Sequence, residues 1–121
     1  MGQRINSRQQ GLVSTTNATQ TMLDTVAIPL GSVASIESDI VIRNTTNGDS
    51  ARVKKTATYK NVAGTVTIIG SVIDLVALST DVSLIGIVVA FGISGTNVQA
   101  LVTGLLATNV DWQSDTLIRI N

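Results

Sequence analysis

The sequence predicts an all-β protein, an antiparallel β-sandwich of jelly-roll type with an extended N-terminal arm, and three observations carry that reading. Apolar and polar residues alternate with a period of two through most of the chain, Gly and Asn turn signals separate the alternating runs, and no amphipathic helical period lies between them. At 121 residues with 44% hydrophobic content, the chain is long enough to bury one core.

Residues 1–20 are rich in Gln, Ser, Thr and Asn, carry Arg4 and Arg8, and contain no acid before Asp24. They read as a polar arm, either a disordered terminus or a segment that becomes ordered on a neighbouring subunit, ahead of a sandwich domain over residues 21–121. The first strand run, Thr25 to Leu30, ends at Pro29, the only proline, whose missing N–H suits a strand end or edge. Next, Ile36, Ser38, Ile40 and Ile42 share one face and Glu37, Asp39 and Arg43 the other, as in a half-buried strand. Asn47-Gly48 is the strongest short hairpin signal; as a two-residue turn it pairs Ile42 with Val53 and Ser38 with Ala57. That register opposes Arg43 to Arg52 and turns Lys55 inward, strains that a longer loop or a bulge would relieve.

The following run, Ala51 to Val62, turns at Ala63-Gly64 into Thr65–Gly70 and pairs Tyr59 with Ile68. Ser94-Gly95-Thr96-Asn97 makes a third hairpin that sets Ile93 opposite Val98, Phe91 opposite Ala100 and Val89 opposite Val102. Gly104 marks a further turn, and Val110, Trp112, Ile118 and Ile120 alternate with Asp111, Gln113, Asp115 and Arg119 in a last strand.

Composition narrows the function. The chain has no histidine and no cysteine, which removes the usual general base near neutral pH, the commonest metal ligand and every His-activated nucleophile. A non-enzymatic protein without cofactor is expected. The most apolar run, Leu84 to Ile93, is about half the ~20 residues that a membrane-spanning helix requires. The N-terminus lacks the apolar stretch of a secretion signal. A formal net charge of zero, 13% charged residues and a mean hydropathy of +0.37 point to apolar surface shared between subunits.

Glu37 and Asp39 share a strand face, the placement that acid–base work or a hard cation would need, yet no third acid lies close in sequence and a solvated face explains them. Asp111 and Asp115 read the same way. Arg52, Lys54 and Lys60 form a basic stripe that, with Arg4 and Arg8, makes the candidate partner-binding set. Zero net charge and 2% aromatic residues argue against nucleic acid as the ligand. Trp112 and Tyr59 are placed by alternation in the core rather than on a sugar-stacking surface.

Asn61-Val62-Ala63-Gly64-Thr65, Ile69-Gly70, Ser94-Gly95-Thr96-Asn97, Val102-Thr103-Gly104 and Val110-Asp111-Trp112, in that order, resemble a small β-domain of virion proteins of tailed bacteriophages. The resemblance spans about Ser32 to Asn121. It implies a sandwich that trimerises and serves attachment or assembly in the virion. Because the chain starts at its own Met1 with no fibre shaft ahead of it, the leading expectation is a homotrimeric capsid decoration (cement) protein seated on the major capsid protein. The alternative is a tail-fibre or appendage protein that binds a host-surface glycan. Nucleic acid, membrane and cofactor are not expected partners.

Overall fold

A computed structural model of the chain describes residues 5–121. These form eight strands, β1 (Ile5–Thr15), β2 (Gln20–Ala27), β3 (Val33–Asn44), β4 (Ser50–Val62), β5 (Thr65–Thr80), β6 (Val88–Ser94), β7 (Asn97–Thr103) and β8 (Val110–Ile120), with one 3-10 turn at Val82–Leu84. All pairings are antiparallel. A five-stranded sheet in the order β1-β8-β3-β4-β5 packs on a three-stranded sheet in the order β2-β7-β6. The all-β sandwich is therefore as expected. The pairing of β1 with β8 and of β2 with β7 is jelly-roll-like nesting, whereas β3, β4 and β5 stay in one sheet as a meander.

Two of the three hairpins adopt the register that alternation dictates. Tyr59 opposes Ile68 across an Ala63-Gly64 turn in which both residues have positive φ, as a type I′ turn requires. Ile93 opposes Val98 and Val89 opposes Val102. The Asn47-Gly48 hairpin differs by two residues: Ile42 pairs with Ala51 and Ile40 with Val53. Its loop is longer because Asn side chains cap it from within. Asn44 Oδ1 accepts from Thr46 N at 3.0 Å and Asn47 Oδ1 from Asp49 N at 2.9 Å, stabilising Asx turns in place of the tight one. The shift sets Arg43 opposite Ser50 rather than Arg52. Lys55 still points inward and meets Asp74 at 2.7 Å.

The segment read as an arm is, from Ile5 onward, an edge strand of its own chain's larger sheet. β1 runs along β8 without irregularity from Ile5↔Ile120 to Thr15↔Val110. Hydrophobic periodicity is silent there because the inward side chain is Gln9, and the next inward position is Gly11. A Cβ on Gly11 would collide with the Leu23 carbonyl oxygen and lie 2.7 Å from Ser114 Oγ. The backbones of β1 and β2 thus approach closely and close this flank of the sandwich. Gly104 is likewise a packing glycine rather than a positive-φ turn residue: its Cβ would sit 2.5 Å from Thr15 Oγ1.

Trp112 and Tyr59 are buried, as alternation places them. The Trp112 indole N–H donates to Thr15 Oγ1 at 2.9 Å. The interior divides into two apolar clusters, one around Ile40, Leu84, Val102 and Trp112, the other around Ile28, Ile36, Tyr59 and Ile118. A polar band separates them. On β3, Ser38 stands between Ile36 and Ile40; on β8, Ser114 and Thr116 stand between Trp112 and Ile118; on β2, Asp24 stands between Leu23 and Val26. Asp24 points inward beside Leu23 because a bulge between Met22 and Asp24 re-aims it. Its Oδ1 accepts from Gln9 Nε2 at 2.6 Å and from Thr25 N at 2.9 Å, and its Oδ2 from Thr116 Oγ1 at 2.9 Å. The Thr116 and Ser38 hydroxyls lie 2.8 Å apart, so the band is bonded throughout.

Candidate binding face of the five-stranded sheet

The outer face of the larger sheet collects the residues that alternate away from the core on β1, β8, β3 and β4. Its middle is a band of ion pairs. Arg52 grips Asp39 through two bonds, Nε to Oδ1 at 3.0 Å and Nη2 to Oδ2 at 2.9 Å. This fork, reinforced by the nearby Lys54 charge, holds the Asp39 carboxyl below its ordinary 3.8 against a smaller opposing effect of burial. Lys54 lies 3.7 Å from Glu37, and Arg8 lies 3.0 Å from Asp115.

Concave regions flank this band at both ends of β3. The larger, about 810 Å³, is lined by Leu12 and Ser14 of β1, Asp111 and Gln113 of β8, and Val41 and Arg43 of β3. Ser14 Oγ donates to Asp111 Oδ1 at 2.6 Å. Arg43 stands opposite Asp111 in the ladder, but no ion pair joins them. Leu12 and Val41, 75% and 48% exposed, supply apolar surface between the polar groups. The smaller concavity, about 330 Å³, is lined by Asn6, Val33, Ser35, Thr58 and Arg119.

The predicted basic residues are thereby placed. Arg4 lies outside the described residues. Arg8, Arg52 and Lys54 share the outer face but each has an acidic partner, so they form no free basic stripe. Lys60 is exposed opposite Val33 and makes no ion pair among the described residues. Glu37 and Asp39 are occupied by these cations. The groove residues Leu12, Ser14 and Gln113 went unrecognised in the sequence, because nothing local reveals that β1 lies beside β8. Among the described residues, no cluster of three acidic side chains is disposed to hold a metal ion, and no helix is long and apolar enough to cross a membrane.

A second surface feature is an apolar flank. β5 is an edge strand whose register with β4 is interrupted three times, and it exposes Ile69, Ile73, Leu75 and Leu78. Val82 and Ile85, beside the 3-10 turn, are 83% and 66% exposed on the connection from β5 to β6. Bulges of this kind disfavour strand addition at the edge, which leaves side-chain packing as the means of covering it.

No protein-family model and no curated protein matches the sequence. Solved structures similar to this chain include two phage tailspikes. One is the tailspike protein of Acinetobacter baumannii phage AM24, with a TM-score of 0.54 and 12% identity over 98% of this chain and 26% of that one. The other is a tailspike protein of Acinetobacter baumannii bacteriophage Fri1, a capsular polysaccharide depolymerase, with a TM-score of 0.43 and 16% identity over 93% of this chain and 17% of that one. The second of these proteins is itself described as an enzyme, and the expectation of a non-enzymatic chain is not upheld. The physical reason is that glycoside hydrolysis runs on paired carboxylates, so the lack of histidine and cysteine does not exclude it. The chain spans about a quarter of the AM24 protein, and its fold is an antiparallel β-sandwich that occurs within a phage tailspike.

Proposed function

We propose that the chain is a virion β-domain of a tailed bacteriophage that binds a host-surface glycan through the outer face of its five-stranded sheet. The observation that carries this reading is the larger groove. Sugars present hydroxyls at their edges and C–H groups on their faces; the groove offers Asp111 and the Ser14 oxygen as acceptors, Gln113 as both donor and acceptor, Arg43 as donor, and Leu12 and Val41 as apolar contacts. The tailspike fold supplies the setting by analogy. That analogy favours attachment over the capsid-decoration role. The apolar β5 flank supports self-association, as a homotrimer in which each copy covers the flank of the next.

The test is a panel of purified bacterial surface polysaccharides probed with the wild-type protein and with Asp111→Asn and Gln113→Ala. Retention of at least one polysaccharide is expected, weakened about tenfold or more in each variant through loss of a hydrogen bond. Retention of none would overturn the reading, and stoichiometric binding to phage heads would then favour decoration.

A further inference from the structure

We propose that the outer face of the five-stranded sheet holds an extended, carboxylate-bearing polysaccharide along β3, with Arg43 and Arg119 as its end anchors. The inference rests on the glycan-binding reading and adds the charge and length of the ligand. Both concavities lie on the same face, one at Val41–Arg43 and the other at Val33–Ser35. Arg119 is registered with Ser35, eight residues from Arg43 along β3, so the anchors are ~27 Å apart at ~3.4 Å per residue. A single sugar cannot reach both.

The charge on this face is not that of the whole chain. It carries Arg8, Arg43, Arg52, Lys54, Lys60 and Arg119 against Glu37, Asp39, Asp111 and Asp115, a residual of two positive charges on a protein of zero formal net charge. The cations of the central band are spent on acids. Arg43, Lys60 and Arg119, at the two ends, make no ion pair among the described residues. The Asp111 carboxylate that faces Arg43 is bonded by Ser14. A free guanidinium in a shallow concavity is a fork matched to a carboxylate, and two such forks on one track select a polymer that carries acids at intervals.

A nucleic acid fits this face less well. All three aromatic residues lie in the interior or at its margin, so no base-stacking platform exists, and four carboxylates share the face with the cations. Those carboxylates repel phosphates but accept hydrogen bonds from sugar hydroxyls.

Calorimetry with defined oligogalacturonates tests the proposal. The octamer is expected to bind at least about tenfold tighter than the dimer, because the second anchor acts at high effective concentration. Its affinity should fall with added salt. Arg43→Gln and Arg119→Gln, both at exposed positions, should each weaken the octamer about tenfold, leaving the melting temperature and dimer binding at the opposite end unchanged. An octamer no tighter than the dimer, a neutral malto-octaose that binds equally well, or an oligodeoxynucleotide that competes on equal terms would overturn it. If the polysaccharide panel yields a ligand lost in Gln113→Ala while oligogalacturonates show no length dependence, glycan binding survives and the acidic track falls. If no polysaccharide binds at all, both fall.

Discussion

Gly11→Ala tests whether β1 is an integral strand of the sandwich. The added methyl would strike the Leu23 carbonyl, which belongs to the β2 backbone, and would lie 2.7 Å from Ser114 Oγ. Ser114 cannot simply rotate away, because its Oγ accepts the Gly11 N–H at 3.0 Å in the interior. Relief requires β1 and β2 to separate, at a cost typical of overpacking, about 1–3 kcal/mol. Strain on the buried Gly11–Ser114 bond adds about 1 kcal/mol, and the lower entropy of the unfolded alanine chain returns somewhat less than that. The net loss is about 1–3 kcal/mol, a fall of roughly 5–10 °C in melting temperature for a chain of this length. The assay is urea and thermal unfolding at fixed protomer concentration, with Gln10→Ala on the outward side of the same strand as control. A change under about 0.5 kcal/mol in Gly11→Ala would refute the close β1–β2 approach and return residues 5–15 to the status of a loose arm.

Other perturbations probe the core, the ion-pair band and the flank. Thr15→Val removes the acceptor of the buried Trp112 N–H and is expected to destabilise by about 1–3 kcal/mol in chemical denaturation; an unchanged midpoint would contradict that bond. Asp39 has a folded pKa depressed by Arg52, so its contribution is fully present above its ordinary 3.8 and is lost as pH falls through the lower folded value. Asp39→Asn should therefore lose less melting temperature than wild type on acidification below about pH 4, and superimposable profiles would count against the pair. On the flank, Ile73→Lys and Leu75→Glu should shift light-scattering mass toward the monomer with the fold retained by circular dichroism; unchanged mass in both would remove β5 as the subunit contact.

Much of the core was legible in the sequence because its signal is local. The Ala63-Gly64 and Gly95 hairpins kept their registers, since each turn is short and a slip would expose the apolar face of a strand. The Asn47-Gly48 register was misread because Asn44 and Asn47 cap a longer loop with their own amides, chemistry that the Asn-Gly dipeptide does not disclose. β1 was illegible for the opposite reason: of its inward positions Gln9, Gly11, Val13 and Thr15, only Val13 is apolar, while Gln9 satisfies Asp24 and Gly11 makes room for Leu23. β5 escaped beyond Gly70 because its irregular register scrambles the period of two.

The candidate site was less legible still. Alternation put Arg52, Lys54, Arg43 and Asp111 on an outer face, but their meaning depends on strands far away in sequence. Asp39 and Glu37 neutralise the stripe from β3, and Leu12 and Ser14 complete the groove from β1. No reading of β4 alone can distinguish a free cation from a paired one.

The central claim, that the outer face of the five-stranded sheet is the binding surface, is tested most directly by mapping amide chemical shifts while a retained polysaccharide fragment is titrated in. The account predicts shifts concentrated at residues 12–14, 41–43 and 111–113, with β2, β6 and β7 unmoved. Shifts confined to β5 and β6, with residues 41–43 and 111–113 unmoved, would contradict it.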